Sequence, residues 1–216
     1  MSLTDGHWFA RRSVAGEPGL VELLAVTGPH PATPGGPVDE QQVLAAARMD
    51  NGGQVVHVRV APRLTPRAPA LWYVSIEEPD ADPAALTLVA FDTPHAADGT
   101  VVGQDAFTSM PVPSSQQVAA VRWFTGTGQV HQIYVQPACR RRGVATKVLV
   151  VAGMLAVATG RPRLWGNGER TDLGEALATR GPELFRGRVT PRTRALPPMT
   201  PEPLTPASRW ERDGAI

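Results

Sequence analysis

The stretch Ile133-Tyr134-Val135-Gln136-Pro137-Ala138-Cys139-Arg140-Arg141-Arg142-Gly143-Val144-Ala145 constrains the fold of this chain more than any other. It reads as a strand, a tight basic turn containing glycine, and the start of a helix. That helix runs to about Thr159, with Gly160 as its C-cap and Pro162 beyond. It is apolar on nearly every side, so it must be packed on a sheet. The turn has a chemical consequence as well. Unpaired N–H groups and the partial positive charge of a helix N-terminus suit the oxygens of a phosphorylated ligand.

A chain of 216 residues with 42% apolar residues is long enough to bury a sizeable core. Its formal net charge of +1 demands neither nucleic acid nor an acidic membrane as partner. Gly (21) and Pro (22) are both abundant, so turns and loops take a large share. Lys147 is the only lysine, and every other strong cation is arginine, which makes arginine clusters weak evidence taken alone. The single cysteine, Cys139, excludes an internal disulfide and fits a reducing compartment. There is no basic-then-apolar leader pattern at the start, and the longest apolar run, residues 148–159, is too short to span a bilayer. The expectation is a cytoplasmic protein with no membrane partner.

Residues 1–18 read as irregular and 19–26 as a first strand. Residues 39–49 read as a short helix with Val43, Leu44 and Ala47 on one face, ended by Asp50-Asn51-Gly52-Gly53. Strand-like runs follow at 55–60, 71–76 and 86–91, with a short one near Val101. Two more, 117–124 and 129–135, flank Thr125-Gly126-Thr127-Gly128 as a hairpin. After the apolar helix come a short strand at 163–165 and a helix at 172–180, with Asp172 and Glu175 spaced as a capping box and Gly181 as the stop. Residues 187–216 are rich in proline and arginine and read as a mobile tail, or one lying along the surface. The expected organisation is one α+β domain over 1–186, followed by this tail.

Arg140-x-x-Gly143-x-Ala145, between a strand ending in Val135 and a helix, resembles motif A of the GNAT superfamily of N-acetyltransferases. The family pattern is Gln/Arg-x-x-Gly-x-Gly/Ala. The resemblance covers about residues 117–185. It implies a mixed, mostly antiparallel sheet flanked by helices, with a splayed strand pair at the site of acetyl-CoA. It places the coenzyme on the backbone of Tyr134, Val135 and Gln136 and on the turn formed by Arg140, Arg141, Arg142, Gly143, Val144, Ala145 and Thr146, with Lys147 reaching a phosphate. Glycine at 143 and alanine at 145 let the main chain approach a pyrophosphate closely. The acyl group would pass to an amine, with the Val135 N–H serving the oxyanion.

Several side chains are candidates for moving the proton. His131, two residues before Ile133 and four before Val135, is expected on their face of the strand, either as a base or packed at the sheet rim. Glu169 stands in the loop after the short strand, open to solvent or to substrate. Asp172 is a base or, more simply, an N-cap. Cys139 is an acyl relay or a neutral loop residue. Trp72, Tyr73, Trp123 and Phe124 are core, or line an acceptor pocket. No group has the spacing of a metal site.

The family often carries a tyrosine on the helix after this loop, to protonate the leaving thiolate. Here the tyrosines are Tyr73 and Tyr134, and that place holds Leu184 and Phe185. This departure opens a second reading, a catalytically impaired binding or regulatory module on the same fold. A third is a nucleic-acid-binding α+β module using the arginine turn.

Overall fold

The computed structural model describes residues 7–14, 16–27, 43–181 and 188–198. Among them the chain forms β1 (His7–Ser13), β2 (Leu20–Thr27), β3 (Val43–Met49), β4 (Val55–Val60), β5 (Trp72–Glu78), β6 (Ala85–Phe91) and β7 (Val101–Gly103). Helix α1 (Gln104–Thr108), β8 (Gln117–Phe124), β9 (Gln129–Val135) and helix α2 (Val144–Ala158) follow. Last come β10 (Trp165–Gly166), β11 (Glu169–Arg170), helix α3 (Asp172–Arg180) and β12 (Arg194–Ala195). The fold is α+β, as expected.

One sheet is antiparallel throughout, in the order β1-β2-β3-β4. The other is mixed, in the order β10-β9-β8-β6-β5-β7, with β7 parallel to β5 and β10 parallel to β9. A bridge between His57 and Thr100 and a hydrogen bond from the Val58 N–H to the Gly99 carbonyl (2.8 Å) join the two sheets at a corner. Helix α2 lies against β2, β3 and β4 of one sheet and β6, β8 and β9 of the other. That position explains its all-round apolarity: Val148, Val150, Val151, Ala152, Met154 and Ala156 are all wholly buried. Burying each valine or leucine side chain contributes about 1.5–3 kcal/mol, so this helix dominates the core. It ends where the sequence indicates. Thr159 is the cap, Gly160 takes φ +71°, and the N–H groups of Gly160 and Arg161 reach the carbonyls of Val157 (3.2 Å) and Ala156 (2.8 Å).

The opposite face of the mixed sheet carries a smaller core of Trp72, Val74, Val89, Phe91 and Val112, covered by Phe107 and Met110. Trp72 stacks on Phe91 with ring centroids 4.7 Å apart. Trp72, Tyr73 and Trp123 are thus core, while Phe124 is half-buried. Among the described residues no helix is long and apolar enough to cross a membrane.

Three expectations change. The helix expected at 39–49 is strand β3 from Val43 onward, with residues 39–42 outside the described set. Leu44, Ala45, Ala46 and Ala47 are buried on both faces of an interior strand, so sheet pairing and burial override the helical preference of alanine. Within the expected irregular start, residues 7–13 pair with β2. The cap of α3 is Thr171 rather than Asp172: its hydroxyl oxygen accepts the Gly174 N–H at 3.1 Å, and Glu175 turns to Arg170 instead of closing a capping box. Of the two alternatives for the C-terminal segment, residues 188–198 take the second: they lie along the surface, paired to the segment from Gly166 onward.

Truncating Met154 to alanine leaves a cavity between the two sheets. Met154→Ala is expected to lower the unfolding free energy by about 2–5 kcal/mol in urea titrations without changing their slope; an unmoved midpoint would show that this contact is not part of the core.

Candidate functional site

The register of β9 on β8 decides which backbone groups of β9 are available. Val135 stands opposite Ala119, Tyr134 opposite Ala120, and the Gln136 N–H donates to the Val118 carbonyl at 2.9 Å. Antiparallel pairing alternates, so the main-chain groups of Gln136, Tyr134 and Gln132 face β8, and those of Val135 and Ile133 face the other way. On that other side β10 pairs only with Gln129 and Val130. From His131 onward the edge of β9 has no strand partner among the described residues. Of Tyr134, Val135 and Gln136, then, only Val135 presents its backbone to the opening. Its carbonyl accepts from Arg140 Nε at 3.1 Å, which leaves its N–H on the open edge.

A 3-10 turn over Pro137–Cys139 carries the chain away from the strand and buries Cys139, whose thiol points to Gln136 Oε1 at 3.7 Å. Arg141 and Gly143 then take φ +60° and +80°. A non-glycine residue in the left-handed region costs about 1 kcal/mol or more and concentrates at functional turns. Gly143 caps α2 without a side-chain bond, and the first helical hydrogen bond is from the Lys147 N–H to the Gly143 carbonyl (3.0 Å). The N–H groups of Val144, Ala145 and Thr146 therefore have no acceptor among the described residues. Arg141 and Arg142 are exposed, Ala145 and Thr146 half-buried, and Val144 is turned into the core.

One wall of this turn comes from a part of the chain that sequence reasoning did not connect to it. An ideal Cβ on Gly143 would lie 3.5 Å from the Ala68 nitrogen and 3.7 Å from its Cβ, an ordinary contact, so φ rather than space calls for glycine. Lys147 holds that wall. Its side chain is only 9% exposed, and its ammonium donates to the Pro69 carbonyl (2.8 Å) and to Asp98 Oδ1 (2.7 Å), which also accepts the Leu71 N–H (2.7 Å). The ammonium is engaged there instead of being free to meet a phosphate. Arg67, next to Ala68, is exposed and adds a cation to the rim. A lone lysine in an apolar helix was the signal for such an anchor. The Tyr73 hydroxyl, fully buried in the α2 core, has no hydrogen-bond partner among the described residues, and burial together with the nearby Asp98 charge holds its pKa well above the ordinary value.

His131 does not share a face with Ile133 and Val135. Arg122 pairs with Gln132 but Trp123 with Val130, so a β-bulge makes His131 the extra residue and re-aims it. Its ring lies 5.2 Å from that of Phe124, on the face away from α2. There Arg122 sits 5.6 Å from the Phe124 ring centroid and binds both oxygens of Glu78 at 3.0–3.2 Å. Thr87 also donates to Glu78, at 2.6 Å. The hydrogen bond from Arg122, then that from Thr87, hold the Glu78 carboxyl below its ordinary pKa.

Glu169 faces Arg194 across β11 and β12 at 3.8 Å, and its N–H bonds to Asn167 Oδ1 (3.1 Å). Asp172 pairs with Arg192 at 2.9 Å. No hydrogen bond or ion pair among the described residues links His131, Glu169 and Val135. Leu184 and Phe185 lie outside the described residues. No group of three or more His, Cys, Asp or Glu among the described residues could hold a metal ion. Compared with protein families, characterised proteins and solved structures, the chain has no significant match.

Glu78 gives a pH prediction. A carboxyl whose folded pKa is depressed contributes stability above the unfolded value of 4.5 and loses it as pH falls through the lower folded value. Glu78→Gln is expected to cost about 1 kcal/mol or less at pH 7, because the pair is partly exposed and screened. That difference should vanish in strong acid when wild type and variant are unfolded in parallel.

Proposed function

We propose that this chain binds an acyl-coenzyme A and passes the acyl group to an amine, as a GNAT-like N-acetyltransferase. The observation that carries the reading is the open edge of β9 from His131 onward, followed through the turn at 136–143 by a helix N-terminus whose amides have no acceptor among the described residues. An edge of this kind can pair with an amide-bearing pantetheine arm, and the helix amides with Arg140, Arg141 and Arg142 suit a diphosphate. The parallel β9–β10 pairing ends after two residues, which is compatible with a splayed pair of the kind the motif implies.

The chemistry asks little of side chains. A neutral amine attacks the thioester carbonyl, a C–N bond forms, and the Val135 N–H donates to the oxyanion. Collapse breaks the C–S bond and the coenzyme leaves as a thiolate. The amine proton goes to a base, for which His131 on the outer face beside Phe124 is the candidate, directly or through water. Water protonates the thiolate. Glu169, turned to Arg194, is a weaker candidate. Binding without transfer is the second reading, and the separation of His131 and Glu169 from Val135 favours it.

Two variants test the site. Gly143→Asp sets a negative charge against the diphosphate and should weaken acetyl-CoA binding by about a hundredfold or more in calorimetry. Gly143→Asn, similar in shape and tolerant of positive φ, should lose far less. Equal losses would move the diphosphate elsewhere. With an amine panel, His131→Ala should reduce turnover by about a hundredfold while leaving acetyl-CoA affinity unchanged; undiminished turnover would remove His131 from the reaction.

A further inference from the structure

A strand has two edges, and Gly166 uses both. It pairs with Val130 of β9 on one side and bridges to Val189 on the other. Past Asn167 the chain keeps only the second partner. The Gly166 N–H bonds to the Arg188 carbonyl (3.1 Å), and the Thr190 N–H returns to the Gly166 carbonyl (3.0 Å). Thr193 and Arg194 then donate to the Gly168 carbonyl (2.8 and 3.1 Å), and Leu196 to that of Arg170 (2.9 Å). Residues 168–170 are thus paired along the C-terminal segment instead of along β9. The approach is close: a Cβ on Gly168 would stand 2.4 Å from Thr193 Oγ1 and 2.6 Å from the Pro191 carbonyl.

Two arginines clasp this arrangement. The Arg170 side chain is 12% exposed and ties three elements together. It donates to the Asn167 carbonyl within its own loop, to the Thr190 carbonyl of the C-terminal segment (3.0 Å), and to Glu175 of α3 (2.7 and 2.9 Å). Arg192 answers from the other side, donating to the Arg170 carbonyl and to Asp172, both at 2.9 Å. A planar fork can hold several such acceptors at once, which a point charge cannot.

We propose that residues 188–196 form a strap that competes with β9 for residues 168–170, and that by winning it keeps the β9 edge at Ile133 and Val135 open. Arg170 is the positioning residue. Without the strap, 168–170 zip onto β9 and close the edge. The inference deepens the acyl-coenzyme A reading, on which only its ligand arm rests.

Amide hydrogen exchange on the full chain tests it, in Gly168→Val, which pushes the strap off, and in Arg170→Met, which removes the clasp without adding bulk. The Thr193 and Leu196 amides should exchange about tenfold or more faster, and the Ile133 and Val135 amides about tenfold or more slower. The Gln136 amide, bonded into β8, should not change, which certifies the fold. Arg170→Lys should fall between Arg170→Met and wild type. A strap released in either variant with the Ile133 and Val135 amides unchanged overturns the proposal, as does a strap that neither variant releases. Coenzyme A is the ligand probe: its affinity should fall in step with closure of the edge. If wild type does not bind coenzyme A, the acyltransferase reading fails, while the exchange data still decide the strap.

Discussion

Helix α2 has no polar side to give to water, and the rest of the molecule is arranged around that fact. Two sheets meeting at the His57–Thr100 corner cover it from both directions. Its one charged side chain, Lys147, is accommodated only because Asp98 and the Pro69 carbonyl come to meet it. Taking an ammonium out of water costs several kcal/mol unless it is paired and hydrogen-bonded, so the loop between β4 and β5 is fixed in place by the same burial that fixes the helix. Because that loop sets Ala68 against Gly143, the core and the surface turn are mechanically one unit.

Local signals in the sequence were enough for the second half of the fold. The hairpin of β8 and β9, the limits of α2 and the span of α3 follow from turn residues, glycine stops and apolar period, which act over a few residues. The misread parts depend on contacts distant in sequence. The alanines of β3 favour a helix by themselves and become a strand because neighbours on both sides offer backbone partners. His131 obeys the alternation of a strand in sequence, yet a single extra residue in the pairing sends it to the opposite face. Phe124 has no local pattern that announces its contact with His131.

The candidate site divides in the same way. Gly143, the arginine turn and the Val135 backbone were legible because a strand–turn–helix unit is local. The role of Lys147 was not, since its partners lie 49 and 78 residues away. Composition left the strap undecided: prolines and arginines suit a mobile tail or one along the surface equally, and the long-range bonds of Arg192 and of the Thr193 and Leu196 amides to the loop after β10 decide it. An opening between parallel strands is a property of three segments together, and no one of them encodes it.

The placement of Lys147 also governs how this protein meets electrophiles. Its only ε-amine sits in an ion pair with Asp98, on a side chain only 9% exposed. Reactive esters and anhydrides that decorate lysine-rich surfaces find no such side chain on the exterior here. Lys147 is therefore shielded from such reagents in the folded protein, and the appearance of a modified Lys147 would report that α2 had left its place between the sheets.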